Sequence, residues 1–164
     1  MNTMGAEVIE GINKAISVAE KNYKGLVIGN EGDNFSAGAN LGMLFMLAGN
    51  REFDEINLMV QAFQNTMMRA RYSSIPVVVA TSGLTLGGGT ELSMHADLVR
   101  AHTETYMGLV EFGVGIIPSG GGTKEMTLRT SDMYKKGDPE LNILMENFMT
   151  IATAKVATSS REAV

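Results

Sequence analysis

The chain has 164 residues and a mass of 17.6 kDa, and 45% of its residues are hydrophobic, which is enough for one domain with its own core. Its net charge of −5 and its scattered basic residues argue against nucleic-acid binding, because phosphate contacts need clustered Lys and Arg. The absence of cysteine excludes disulfides, a thiolate nucleophile and sulfur-ligated metals.

The sequence contains neither a basic-then-apolar leader nor an apolar run of about 18 residues. We therefore expect no secretion signal, no membrane span and a cytoplasmic location. The histidines are only two, His95 and His102, and we expect both to be structural or solvated rather than metal ligands.

Helical and strand patterns alternate along the chain and predict an α/β fold. Apolar residues recur at helical spacing from Met4 to Ala19, and short apolar runs bounded by glycine or proline are typical of buried strands. Asp138 is expected to cap a last helix, with Pro139 at its first position. The remaining predicted elements are strands at 25–29, 76–81, 97–101 and 105–109 and helices at 52–72, 88–96 and from 120 to near 129.

Three consecutive glycines at residues 87–89 precede Thr90 and Glu91 at a predicted helix start. Glycine lets the backbone turn and approach a ligand closely, and the first amides of a helix are free donors. Such donors stabilise an anion or an oxyanion. Residues 36–39, which are small and follow an earlier strand, could supply a second amide, and two converging amides form an oxyanion hole.

Glu91 and Glu111 are the candidate acid–base residues, and each also has a plainer interpretation. Glu91 could be a first-turn acid that interacts with the helix dipole at the surface. Glu111 lies between Val110 and Phe112, where a single carboxylate often faces solvent. If the two lie together and are buried, their pKa values should rise and they should titrate as a pair.

The order and spacing of several motifs, over roughly residues 1–129, resemble the crotonase family and, within it, enoyl-CoA hydratase. A nucleotide-binding loop is not indicated, because Pro118 stands where the dinucleotide fingerprint needs glycine and no Gly-Lys-Ser/Thr follows a glycine-rich loop. The motifs that carry the resemblance are Phe35 to Ala39, Pro76 to Ala80, Gly83, Gly87 to Leu92, Asp97, Glu111, Gly115, Ile117-Pro118 and Gly120 to Thr123.

The resemblance implies a layered spiral of β-β-α units and a metal-free hydration of 2-enoyl-CoA to 3-hydroxyacyl-CoA. It places the thioester oxygen between the amides of Ala39 and Gly88. It assigns Glu91 to activate the water that attacks C3 and Glu111 to deliver a proton to C2. The other substrate contacts that it implies are Ala37, Gly38, Asn40, Leu41, Gly87, Pro118 and Gly120. Met43 and Met46 are further candidates, for an acyl-chain pocket.

Compared with the family, the chain lacks an opening hairpin and closing helices, and residues 130–164 diverge. We expect a domain fragment, truncated at both ends and weak or inactive alone, from a larger protein with a 3-hydroxyacyl-CoA dehydrogenase part. Coenzyme A belongs to the substrate, and NAD is expected only in that other part. The expected partners are the acyl-CoA substrate, further copies of the chain and other domains of the parent protein. The alternatives are an enoyl-CoA isomerase and a non-catalytic acyl-CoA-binding or assembly module.

Overall fold

The computed structural model describes residues 2–163, apart from the side chain of Glu140. Helices and strands alternate along the chain, as the sequence predicts. The strands are β1 (Leu26–Ile28), β2 (Val77–Leu86) and β3 (Leu98–Gly108), and the helices are α1 (Ala6–Asn22), α2 (Leu41–Gly49), α3 (Phe53–Arg71), α4 (Gly88–Met94), α5 (Gly122–Met133), α6 (Glu140–Ala152) and α7 (Ser160–Ala163).

The three strands form a parallel sheet in the order β1-β2-β3 within the described residues. Parallel neighbours need a crossover connection, and α4 supplies the one between β2 and β3. Segment 36–39 runs beside the end of β2, with Ser36 and Thr85 paired as a parallel bridge. The carboxyl end of β2 is therefore flanked by the segment that contains Ser36 and by the end of β3.

The sequence predicts two strands at 97–101 and 105–109, but the structure has one continuous strand, β3, and that prediction is wrong. The register shifts where β2 passes from Thr81 to Gly83. The partners on β3 there are Ala101 and Thr105, so the residues between them bulge while the strand continues. The Thr105 hydroxyl donates to the carbonyl of His102 at 2.8 Å and closes this bulge.

The main core lies between α1, α3 and the sheet. The apolar spacing that predicts α1 and α3 also produces their packing, because residues three or four apart share one helix face. Ile16 on α1, Met67 on α3 and Val79 on β2 are completely buried, and Leu92 on α4 is almost so. Since Leu92 is part of this core, α4 is fixed to the sheet one residue after Glu91.

Two helix starts differ from prediction. Helix α2 was not predicted, although Asn40 caps it through a bond from the amide of Met43 to its Oδ1 (3.2 Å). Asp138 was predicted to cap α6, which is wrong: Pro139 is the N-cap residue, and the Asp138 carboxylate accepts from the amide of Lys135 at 2.9 Å. Asp138 therefore stabilises the turn before the helix instead.

Several large apolar side chains are exposed on α6 and at the β1 edge of the sheet. Leu141 and Phe148 of α6 are each more than half exposed, and so is Val27 of β1. Within residues 2–163, no helix combines the length and the apolar character needed to span a lipid bilayer.

Candidate functional site

Three glycines form the turn after β2 (Gly87) and the start of α4 (Gly88 and Gly89), and each lies against a different neighbour. Gly87 turns the chain at φ +53°, in the left-handed region that favours glycine. A Cβ on Gly87 would lie 3.0 Å from Oε1 of Glu111, and a Cβ on Gly88 would lie 2.6 Å from the Phe63 ring. A Cβ on Gly89 would lie 2.9 Å from that of Ser36. The triple glycine thus allows a close approach of three separate segments.

Segment 36–39 lies directly beside this turn. The Ser36 amide donates to the carbonyl of Leu84 at 2.9 Å, and the Leu86 amide donates to the carbonyl of Ser36 at 2.8 Å. A Cβ on Gly38, which has φ +88°, would be 3.4 Å from the amide nitrogen of Gly88. Neither the Ala39 amide nor the Gly88 amide has a hydrogen-bond acceptor among residues 2–163. The structure brings these two unpaired amides to neighbouring positions.

Glu91 lies one turn into α4 and is only 3% exposed, so it is not a surface acid. Its Oε1 accepts a hydrogen bond from the Gly122 amide at 2.9 Å. Burial raises the pKa of Glu91, while the backbone amides of Gly122, Gly120 and Gly121 act against this rise by stabilising the carboxylate. Glu91 is therefore a buried carboxyl whose ionised form has dedicated donors.

Glu111 begins the 3₁₀ turn Glu111–Val114 just after β3 and is also buried. Its Oε2 has no hydrogen-bond partner within residues 2–163. Burial, and secondarily the negative charge of Glu91, raises the pKa of Glu111 to about 7. Burial is thus the main cause of both raised pKa values, and the charge of one glutamate affects the other only at Glu111, so titration as a pair stays a prediction.

Both carboxyls line one cavity of about 280 Å³ with mostly apolar walls. The other polar side chains in its wall are Asn40, Ser119 and the exposed Glu10, so Glu91 and Glu111 are its two buried carboxyls. The predicted site residues that line it are Ala37, Gly38, Ala39, Asn40, Leu41, Gly87, Gly88, Glu91, Glu111 and Gly120.

Pro118 is the one predicted site residue that does not line the cavity. It is fully buried, and its carbonyl accepts bonds from the amide (3.2 Å) and hydroxyl (2.8 Å) of Thr123. A Cβ on Gly122 would lie 2.8 Å from that of Pro118. Pro118 thus supports the start of α5, whose first amide binds Glu91, instead of contacting a ligand.

Sequence reasoning missed several apolar wall residues. Phe63 of α3 is the most central, since its ring lies against both Gly88 and Gly120. It follows Val60 by three residues, a spacing that indicates a core-facing side of the helix and does not reveal that part of this side lines a cavity. The other wall residues outside the predicted set include Met4, Ile9, Leu44, Met59, Val60, Val114, Ile116 and Ile117.

Only one of the two methionines that are candidates for an acyl-chain pocket lines the cavity. Met43 lines the cavity, whereas Met46 does not and is 59% exposed. The two lie three residues apart on α2, but Leu44 of the same helix joins Met43 in the wall. Only the first turn of α2 reaches the cavity.

The two histidines have different environments. His102 is exposed, and its Nδ1 accepts from the amide of Glu104 at 3.2 Å. His95 is 1% exposed and packs behind α4. Across residues 2–163, no group of three or more His, Asp and Glu side chains is arranged to hold a metal ion.

Comparison with known proteins identifies the family to which the chain belongs. A family model described as enoyl-CoA hydratase/isomerase matches residues 1–154. A Bacillus subtilis protein named "Probable 3-hydroxyacyl-CoA dehydrogenase" is 48% identical over 162 residues, which are 99% of this chain and 20% of that protein. The chain therefore spans about a fifth of the length of this relative.

Solved structures with the same fold include two enoyl-CoA hydratases. The enzyme from Polaromonas sp. JS666 has a TM-score of 0.80 at 25% identity and aligns with 97% of this chain and 58% of its own. The enzyme from Bacillus anthracis has a TM-score of 0.77 at 27% identity and aligns with 98% of this chain and 57% of its own. The predicted crotonase-like α/β fold is confirmed, and the chain belongs to the enoyl-CoA hydratase/isomerase family.

Proposed function

We propose that the chain hydrates 2-enoyl-CoA to 3-hydroxyacyl-CoA, as the hydratase part of a longer protein of fatty-acid β-oxidation. The observation that carries this proposal is the pair of buried glutamates facing one apolar cavity beside two unpaired amides. Hydration needs one group that takes a proton from water, one that gives a proton to carbon, and donors for an enolate oxygen. Residues that carry groups of each kind line the cavity.

The amides of Ala39 and Gly88 would bind the thioester oxygen. Polarising that oxygen makes C3 of the double bond electrophilic, and attack at C3 builds negative charge on the same oxygen. Removing one such donor raises the barrier by about 3–4 kcal/mol in comparable sites. The remaining wall residues proposed to contact substrate are Ala37, Gly38, Asn40, Leu41, Gly87 and Gly120.

Glu91 would act as the base and Glu111 as the acid. The amides that donate to Glu91 favour its ionised form, which can take a proton from water as the hydroxyl adds to C3. Glu111 has a pKa of about 7 and an unpartnered oxygen, so it retains a proton at near-neutral pH and can deliver it to C2. Water supplies both added groups, and Glu111 recovers its proton through Glu91 or solvent in the next cycle.

This reaction consumes no redox cofactor, and coenzyme A is part of the substrate. NAD would serve only a dehydrogenase outside this chain. The name of the Bacillus subtilis relative supports that setting, because a 3-hydroxyacyl-CoA is the product of hydration and the substrate of a 3-hydroxyacyl-CoA dehydrogenase. We propose that the longer protein is cytoplasmic and oligomeric, in line with the exposed apolar residues of α6 and β1.

The test uses crotonyl-CoA with both this chain and the full-length product of its gene. Hydration removes the absorbance of the conjugated thioester and yields a product heavier by one water, which mass spectrometry detects. We expect the full-length product to turn over and the chain alone to be weaker. No absorbance loss with short, medium or long enoyl-CoA would refute the proposal.

Two further measurements identify the alternatives. An isomerase would move the double bond of a 3-enoyl-CoA into conjugation, so a gain of conjugated-thioester absorbance without any change in mass would indicate that activity. Saturable acyl-CoA binding without turnover, measured by calorimetry, would indicate a non-catalytic module.

A further inference from the structure

His95 lies directly behind Glu91, on the side of α4 away from the cavity. It is the C-cap residue of α4, and its side chain is completely buried. Its Nδ1 is 2.7 Å from the backbone carbonyl oxygen of Glu91, one helical turn earlier. His95 therefore contacts the main chain of the glutamate that the mechanism uses as a base.

The imidazole also supports the loop that binds the Glu91 carboxylate. Gly121 has φ +138°, and a Cβ there would lie 2.5 Å from Cε1 of His95, so the ring packs against its Cα. The next residue, Gly122, donates its amide to Glu91 at 2.9 Å. One side chain thus contacts both the backbone of Glu91 and the loop that holds the Glu91 carboxylate.

The neighbours of His95 define its tautomer. The Lys124 ammonium can only donate, and it lies 3.2 Å from Nε2, so Nε2 accepts and Nδ1 carries the hydrogen. Burial lowers the pKa of His95, which keeps the ring neutral, while the carbonyl of Glu91 and the charge of Glu125 act in the opposite direction. A neutral ring with its hydrogen on Nδ1 donates to the carbonyl of Glu91.

Glu125 fixes this arrangement to α3. It is 2% exposed and accepts from Nη1 of Arg71 at 2.6 Å, with Lys124 Nζ at 3.1 Å from its Oε1. Lys124 Nζ also lies 3.2 Å from Nε2 of His95 and so bridges the two side chains, because Oε1 and Nε2 are both acceptors and cannot bond each other directly. These contacts join the end of α3, the first turn of α5 and the end of α4 behind the cavity.

From these contacts we infer that His95 is a positioning residue that holds Glu91 and its amide donor, Gly122, in the geometry needed to activate water. This inference rests on the proposed function, because it concerns the base of the hydration step. His95 itself does not line the cavity and touches no substrate.

The kinetic test compares His95→Leu with His95→Asn in the full-length gene product. Leu fills similar space without a donor, whereas the Asn amide can take the place of Nδ1 and donate to the carbonyl of Glu91. We expect Leu to lower kcat by about ten- to a hundredfold, the range for a misplaced catalytic group, with KM nearly unchanged. Asn should recover most of that loss.

Thr66→Val is the matched control for lost stability. Thr66 is fully buried on α3, does not line the cavity, and bonds to Asn13 and to the carbonyl of Ala62, so its loss perturbs the core without removing a wall side chain. If Thr66→Val and His95→Leu lower kcat equally at matched thermal stability, His95 has no positioning role. Equal losses in the Leu and Asn variants would also overturn the inference.

A second readout does not depend on turnover. In the 164-residue chain, the amide proton of Gly122 should resonate downfield because it binds a carboxylate, and Glu91→Gln should move it upfield. His95→Leu should shift it in the same direction, and His95→Asn should restore it. An unmoved Gly122 resonance in His95→Leu would refute positioning by His95, whereas absent hydration by the wild type would refute only the proposed function.

Discussion

Glu91 and Glu111 are the same residue type and line the same cavity, but their surroundings differ. Glu91 stands on a helix anchored in the core and accepts a hydrogen bond from the Gly122 amide, with two further amides nearby. Glu111 stands in a 3₁₀ turn, and its Oε2 has no partner within the described residues. Burial raises both pKa values, so burial alone does not distinguish the two groups.

Glu91 and Glu111 differ in the hydrogen-bond donors around their carboxyl groups. Backbone amides stabilise a carboxylate but not a carboxylic acid, so a proton shared by the pair belongs preferentially on Glu111. Two identical side chains thereby acquire opposite roles from their environments. The predictions below test that contrast, beginning with the largest effect.

Removing either carboxyl should have the largest effect. We expect Glu91→Gln and Glu111→Gln each to lower hydration of crotonyl-CoA by at least about 10², the low end for a lost acid or base, with acyl-CoA binding retained. Gln preserves size, and unchanged thermal melting would show that folding is intact. Near-wild-type turnover by either variant would contradict the two-glutamate mechanism, and loss in Glu111→Gln alone would favour an isomerase.

Displacing Glu91 without removing its carboxyl should have a smaller effect. In Gly120→Ala, the new Cβ would overlap Oε2 of Glu91 and the ring of Phe63, so one of them must move. We expect a loss of kcat of roughly tenfold or more, since misplacement by about 1 Å is costly. The control is Gly11→Ala in α1, where a Cβ meets nothing within 4 Å, and it should leave kcat unchanged.

The smallest predicted effect is on stability. The folded-state pKa of Glu111 is about 7, above its ordinary value of 4.5. The protonated Glu111 therefore contributes its full stability below pH 4.5, and this contribution is lost as the pH rises through about 7. The Glu111→Gln variant has no carboxyl to ionise at this position and so does not lose this stability. Thermal melting should therefore shift in favour of Glu111→Gln as the pH rises from about 5 to about 8. A difference in Tm that does not change with pH would contradict the raised pKa.

Much of the site could be predicted because its parts are local in sequence. Gly87 to Gly89 and the small residues at 36–39 indicate exposed amides whatever the tertiary context, and the helical spacing of α3 is unambiguous. Glu91 follows from its place one turn after the glycines. These signals come from backbone chemistry, which short segments determine by themselves.

The errors concern contacts between distant segments. The wall position of Phe63 depends on where α3 meets two glycine turns, and the buried position of Pro118 depends on the path before α5. The continuity of β3 depends on its register with β2. The expectation that His95 is structural or solvated agrees with its burial, and only its packing against Gly121 could not be predicted. Tertiary packing determines each of these outcomes.

The central claim is that Glu91 and Glu111 act together in one hydration step. The most direct measurement is the rate of crotonyl-CoA hydration by wild type, Glu91→Gln, Glu111→Gln and the double variant in the full-length gene product. The account predicts that the double variant loses far less activity than the product of the two single losses, because the first substitution already disables the shared step. Losses that multiply would show two independent contributions and would contradict the account.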